Sequence, residues 1–199
     1  MNLVRACQHR QSEEIELHTG PCHLSRMRIA ETVTFGGSGL DRAAELRGKT
    51  EALKAQADAQ TILLWQGKPM IAGDTLVRVA MDHPVMADAG ADLVFLGREN
   101  AAPVFAADLS GWTPENLETA TLDSFLDPSE QRHPAMPEAV FAELRAIMNR
   151  LTARDAELAA TAKAIMGWHR SHRFCARCGT ESTIAMGGWQ RDCAACGGH

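Results

Sequence analysis

Apolar positions along the chain follow two periods, which separate a strand-rich first half from a helical second half. In the first half, apolar runs of three to seven residues are bounded by Gly, Asp, Asn or Pro, a pattern typical of strands. The predicted strands are Ile29–Phe35, Thr61–Gln66, Met70–Ala72, Thr75–Met81, Ala91–Gly97 and Pro103–Leu109. Gly67-Lys68-Pro69 predicts a turn. We expect a small, mostly antiparallel sheet.

Three helices are predicted around this sheet. The first runs from about Leu40 to Ala59, is capped by Asp41 or Ser38, and bends near Gly48. The second is an apolar stripe at helical spacing over Val140–Leu151. Thr152 then resembles the start of a capping box for a third helix. Its predicted apolar face comprises Leu158, Ala162, Ile165, Met166 and His169. The fold class is therefore α+β.

Shifts in composition divide the chain into four segments. Residues 1–26 show no periodicity and are predicted to be a disordered extension, since Met27 begins a stretch that reads like a natural start. Residues 27–127 form the β-rich domain, 128–170 the linker and helices, and 171–199 a separate module. Asp127–Pro137 holds three prolines and marks the linker. Cysteines and histidines in residues 1–26 lack the paired spacing of a metal site.

Two Cys-x-x-Cys pairs carry the clearest chemical signal. Cys175 and Cys178 are followed by fourteen residues and then by Cys193 and Cys196, and a glycine follows each pair. This spacing is typical of a zinc ribbon, in which two knuckles joined by a hairpin, here turning at Gly187-Gly188, supply four thiolates to one Zn²⁺. The alternatives are two disulfides or a redox pair. A Cys₄ set leaves no position for water, so the zinc is predicted to be structural.

Composition and charge limit the remaining choices. The 199 residues are 45% hydrophobic with a net charge of −5, and no apolar run reaches the length of a membrane span. Six cysteines, four of them in the zinc pattern, fit the reducing cytoplasm. The stretch from Lys163 to Arg191 has five cationic residues and one acidic residue, a net charge of +4. It predicts either a site for an anionic partner or a solvated face beside the zinc thiolates.

The sequences WHRSHRFCARCGTEST, GGW and CAACG resemble the zinc ribbon of the NADH pyrophosphatases, which belong to the Nudix superfamily. FGGSGLDRAAELR resembles the N-terminal domain of the same family. The resemblance implies hydrolysis of NAD(H) to nicotinamide mononucleotide and AMP, activity on NAD-capped RNA, and a homodimer. It also implies Mg²⁺ or Mn²⁺ in a catalytic domain.

The Nudix signature, with its Glu and Arg-Glu spacing, does not occur in these residues. We therefore predict no catalytic residue here and expect the chain to be the front part of such an enzyme, inactive alone. Trp189 and Arg145 are predicted to face the nucleotide, although a packing tryptophan and a solvated arginine are the simpler interpretations. Beside the metal we expect an apolar cluster of Trp168, Phe174 and Trp189. The alternative function is a stand-alone zinc ribbon that binds nucleic acid or a protein.

Overall fold

The computed structural model describes residues 35–115 and 127–199, and the structural statements below concern these residues. The strands are β1 (Gln60–Trp65), β2 (Lys68–Ala72), β3 (Thr75–Leu76), β4 (Arg78–Ala80), β5 (Val94–Glu99), β6 (Ala102–Asp108), β7 (Val140–Phe141), β8 (Thr183–Ala185) and β9 (Gln190–Asp192). The α-helices are α1 (Thr50–Lys54), α2 (Leu144–Ile147) and α3 (Ala153–Ser171). The predicted disorder of residues 1–26 and most of the predicted strand Ile29–Phe35 lie outside the described residues.

β1 is the centre of a seven-stranded sheet. On one side it pairs antiparallel with β4 through its first residues and with β2 through its last. On the other side it pairs parallel with β6, and β5 then lies antiparallel to β6 at the edge. β3 and β7 pair antiparallel with β2. The predicted mostly antiparallel sheet and the α+β class are confirmed.

Both faces of β1 are buried, which explains its unbroken apolar run. Ile62 and Leu64 belong to a core cluster with Leu158 and Ala162 of α3. The alternate residues Leu63 and Trp65 belong to a second cluster on the other face, together with Phe141 and Val85. The sheet is thus the middle layer of the domain.

The β1–β2 turn lies one residue earlier than predicted. Gln66 and Gly67 both have left-handed backbone conformations, with φ of 48° and 74°, as a two-residue hairpin turn of the primed type requires. Lys68 and Pro69 are already in β2, opposite Trp65 and Leu64. Lys68 is buried and ion-paired with Asp127 at 2.8 Å.

The predicted helix Leu40–Ala59 is mostly wrong in extent. A 3-10 helix over Ala44–Lys49 is followed by the one-turn helix α1. Ala43 is left-handed at φ 42°, so a helix cannot run through it. The proposed caps have other roles, because Asp41 accepts a hydrogen bond from the Ala43 N–H and the Ser38 hydroxyl bonds Glu157.

The predicted helix Val140–Leu151 is also wrong. Val140 and Phe141 form β7 and pair with Ile71 and Met70, which satisfies their backbone groups and fully buries the Phe141 ring. Glu143 is extended, and the helix is reduced to α2. The predicted linker Asp127–Pro137 is irregular but packed against the sheet through the buried residues Asp127 and His133.

α3 confirms the third predicted helix. The Thr152 hydroxyl accepts a hydrogen bond from the Asp155 N–H at 3.1 Å, which caps the first turn. The predicted apolar face is buried along the helix from Leu158 to His169. None of the helices in the described residues combines the length and apolarity needed to cross a bilayer.

Candidate metal centre

The two cysteine pairs lie in matching turns at the end of the chain. In each turn the glycine N–H donates to the carbonyl of the first cysteine, at 2.8 Å for Gly179 and 2.9 Å for Gly197. Both glycines have positive φ, at 75° and 66°. Since an L side chain is disfavoured there, each glycine allows its knuckle to close and to turn both sulfurs inward.

A short hairpin holds the two knuckles together. β8 pairs antiparallel with β9, and Thr183 lies opposite Asp192. The connection Met186–Gly188 has positive φ at all three residues, which confirms the predicted turn at Gly187-Gly188. The ribbon therefore depends on two strands of three residues each and has no core of its own.

The spacing of the four sulfurs fits one zinc ion. The Sγ atoms of Cys175, Cys178, Cys193 and Cys196 all lie within 4.8 Å of one another. Cys175 and Cys196 are 3.7 Å apart, and Cys178 and Cys193 are 3.5 Å apart. A tetrahedron with zinc–sulfur bonds of about 2.3 Å has sulfurs about 3.8 Å apart. A disulfide needs about 2.05 Å, so these distances fit a metal and not the alternative of two disulfides.

The pKa values of the cysteine thiols also favour a cation at the centre of the four sulfurs. The Thr180 backbone N–H and hydroxyl stabilise a thiolate and lower the pKa of Cys178 to about 6. At Cys196 the Gly198 N–H acts in the same direction, but hydrogen bonds to Cys178 and the other sulfurs outweigh it and raise the pKa to about 12. A divalent cation removes this conflict, because it favours the thiolate form at every sulfur.

The ribbon hairpin docks on the edge strand β5. The Trp189 indole N–H donates to the Phe95 carbonyl at 2.6 Å, and the Arg47 guanidinium stacks on the indole at 3.8 Å from the ring centroid. Gly188 lies so close that an added Cβ would come within 2.9 Å of Val94. Only glycine allows this approach without displacement. No sequence signal identified Arg47 or Phe95 as docking residues.

His169 joins the end of α3 to the same hairpin. Its Nε2 is 2.8 Å from the Gly188 carbonyl oxygen, and its Nδ1 is 3.3 Å from the Arg191 guanidinium. Burial is the main reason that the pKa of His169 lies below its ordinary value of 6.5. His172, three residues on, is exposed.

Of the two residues predicted to face a nucleotide, one lines a cleft. Trp189 borders a groove of about 700 Å³ beside the knuckles, together with Trp168 and Phe174. Arg145 is exposed on α2 and does not line this groove, and its role stays a prediction. The three residues of the expected apolar cluster thus line one groove beside the cysteines, but they do not form a buried core, since Phe174 is 63% exposed.

Protein contacts occupy most of the cationic stretch. Lys163 pairs with Glu143 at 2.8 Å, and Arg173 pairs with Glu181 at 2.7 Å. Arg191 donates to His169, Ser182 and the Arg173 carbonyl. Within the described part of the chain, the guanidinium groups of Arg170 and Arg177 have no partner. The surface available to an anion is thus smaller than the charge of +4 suggests.

Acidic residues near the start of α3 are neutralised by arginines. Arg78 bridges Glu99 and Asp155, at 2.8 Å and 2.7 Å, and Arg42 pairs with Glu157. Over residues 35–115 and 127–199, the four cysteines are the one group of three or more possible metal ligands that come together. The chemistry of the described site is therefore that of a thiolate metal centre.

Comparison with known proteins agrees with this description. Residues 58–168 match the family model of the NADH pyrophosphatase-like rudimentary NUDIX domain, and residues 170–199 match the NADH pyrophosphatase zinc ribbon domain. The human protein "NAD(P)H pyrophosphatase NUDT13, mitochondrial" is 43% identical over 53 residues. These residues are 27% of this chain and 15% of the human protein, far below two thirds of its length. α3 runs without interruption across the junction of the two family models.

Proposed function

The chain belongs to the NADH pyrophosphatase family, and on that premise we propose that it supplies the rudimentary NUDIX domain and structural zinc ribbon for dinucleotide hydrolysis. In the proposed reaction, water attacks one phosphorus of the NAD(H) pyrophosphate and the bridging P–O bond breaks. The products are nicotinamide mononucleotide and AMP. The observation that carries the proposal is the adjacent match to both family domains, with four sulfurs spaced for zinc.

The chain alone is proposed to be inactive. Pyrophosphate hydrolysis of this kind uses carboxylates that hold Mg²⁺ or Mn²⁺, and these ions polarise the phosphoryl group and activate water. The amino-acid sequence has no Nudix signature, and Glu99, Asp155 and Glu157 already neutralise arginines. The role of the described residues is then structural, because they hold the ribbon against the sheet.

The proposal extends to substrate and assembly. By family, the complete enzyme is proposed to act on NAD(H) and also on NAD-capped RNA and to work as a homodimer. A cytoplasmic location is proposed from the cysteine usage alone. Light scattering tests the assembly directly, since a homodimer has twice the chain mass of 21.6 kDa. A mass of one chain at micromolar concentration would contradict the dimer for this chain.

The hydrolysis is tested by product analysis with NADH and Mg²⁺. The chain alone is expected to release no reduced nicotinamide mononucleotide from NADH, whereas a fusion that adds the catalytic domain of an NADH pyrophosphatase after residue 199 should release it with AMP. In the fusion, Cys178→Ser should lower activity by disordering the ribbon, and Ala176→Ser in the same knuckle is the matched control. Turnover by the chain alone would place an active site in these residues. If Cys178→Ser leaves the activity of the fusion unchanged, the ribbon does not support hydrolysis and this part of the proposal is wrong.

A further inference from the structure

The hydrogen bonds of His169 define its protonation state. The Gly188 carbonyl can only accept, so the imidazole Nε2 at 2.8 Å must carry a proton. The Arg191 guanidinium can only donate, so Nδ1 at 3.3 Å must be the acceptor. Both contacts are therefore satisfied by the neutral ring with its proton on Nε2. A protonated ring keeps the hydrogen bond to the Gly188 carbonyl, but its second N–H then faces the Arg191 donor.

Arg191 cannot easily turn away from a protonated ring. Its Nε donates to the Ser182 hydroxyl at 2.9 Å, and its Nη2 donates to the carbonyls of Ser182 and Arg173. These bonds connect β9 to the start of the ribbon, so moving the guanidinium disrupts the ribbon itself. A proton on Nδ1 would place two donors and two positive charges face to face.

Other charged groups around the ring do not cancel this repulsion. The cleft of about 670 Å³ beside His169 is also lined by Arg170, Arg173, Asp92, Asp108 and Glu181. Glu181 pairs with Arg173, and Asp108 accepts from Ser110. Asp92 favours the charged ring but forms no ion pair with it in the described part of the chain. Burial and the Arg191 charge together therefore keep the pKa of His169 below 6.5.

We propose that His169 is a proton-sensitive latch: when its ring takes up a proton, the ribbon hairpin separates from α3 and from the edge of β5, while the zinc knuckles stay folded. The latch depends on this local geometry and not on the proposed hydrolysis. The docked hairpin binds fewer protons at His169 than the separated one. Its stabilisation is complete above about pH 6.5 and is lost as the pH falls below that value. The opening constant should rise up to tenfold, roughly, for each pH unit down to the docked pKa.

Hydrogen exchange of the Trp189 indole N–H, measured by NMR on the zinc-loaded chain from pH 7.5 to 5.5, tests the latch, because this group donates to the Phe95 carbonyl across the docking contact. After correction for intrinsic exchange, it should open more often as the pH falls. His169→Gln is the informative variant, because its carboxamide can donate to Gly188 and accept from Arg191 but does not titrate. Its opening should be independent of pH. His172→Gln, on the exposed side of the same helix end, should behave like the wild type.

Three further measurements complete the test. Zinc content should stay at one per chain over this range, since loss of zinc with hairpin opening would attribute the change to the metal centre and overturn the latch. Asp92→Asn should lower the pKa of the docked ring further, because it removes the acidic charge that favours the protonated ring, and the opening constant should then be larger than in the wild type at the acidic end of the range. The His169 ring itself should titrate below 6.5 in its NMR spectrum. A higher value, or a wild-type pH response in His169→Gln, would overturn the proposal.

Discussion

The sheet and the ribbon are stabilised by opposite means. In the sheet, β1 and β6 bury large side chains on both faces, so apolar burial supplies the driving force. In the ribbon, Cys193 is the one buried hydrophobic residue among residues 171–199, and Phe174 is 63% exposed. The strands of the ribbon are too short for independent stability, and four thiolates around a cation replace the core. Within one chain, the sheet is thus stabilised by burial of apolar side chains and the ribbon by metal coordination.

Removing a zinc ligand should separate the two regions most strongly. Structural zinc contributes about 10–16 kcal/mol to the folding of small zinc domains, so Cys178→Ser is expected to release the metal and unfold the ribbon. β1 and β6 should keep their protection in hydrogen exchange. Zinc analysis and exchange on the same sample measure both effects, with Ala176→Ser as the control. Stoichiometric zinc in Cys178→Ser would contradict the ligand set.

Replacing phenylalanine by alanine should lower stability strongly in the sheet and hardly at all in the ribbon. Phe105→Ala removes a fully buried ring from β6 and is expected to lower the free energy of unfolding of the sheet by about 3–5 kcal/mol. Phe174→Ala removes an exposed ring from the ribbon and should change stability by less than about 0.5 kcal/mol. Denaturant unfolding measures both. Equal effects would mean that Phe174 is covered in solution.

The buried ion pair of the sheet should also be sensitive to loss of one partner. Lys68→Met leaves Asp127 buried without its cation and is expected to cost about 3–5 kcal/mol at neutral pH. Asp127→Asn in the same chain should restore part of this loss. In the wild type, burial disfavours the carboxylate, but hydrogen bonds from Lys68 and Ser129 outweigh it and lower the pKa of Asp127 to about 2 from 3.8.

This pKa gives the Lys68 prediction a pH signature. The contribution of the pair to wild-type stability is present above about pH 3.8 and is lost as the pH falls towards 2. The difference in unfolding free energy between wild type and Lys68→Met should therefore shrink in acid. A difference that is constant from pH 7 to pH 3 would attribute the effect to packing of the lysine stem.

A smaller loss than those from Phe105→Ala and Lys68→Met is expected at the joint between the regions. Trp189→Phe removes the indole N–H and leaves the Phe95 carbonyl without that donor, which should cost about 1–3 kcal/mol of docking. Zinc should be retained. Trp168→Phe is the matched control, since its indole N–H has no hydrogen-bond partner in the described residues. Loss of zinc in Trp189→Phe would show that docking and metal binding are inseparable.

Local signals predicted the parts of the fold that depend on neighbouring residues. The Cys-x-x-Cys spacing, the Gly187-Gly188 turn and the Thr152 cap each operate within a few residues, and each occurs in the structure. The stripe over Val140–Leu151 failed because Phe141 gains more from pairing with Met70 than a helix offers it. The docking of Trp189 on Phe95 spans 94 positions and left no periodic trace in the sequence.

The docked hairpin also covers one edge of the sheet. β5 is the last strand in the order, and its outer side is covered by Trp189 at Phe95 and by Asp41, whose carbonyl accepts from the Arg98 N–H at 2.7 Å. An uncovered strand of this kind is a template for intermolecular pairing. Metal-depleted protein should therefore self-associate through β5, so zinc supply would control solubility as well as shape.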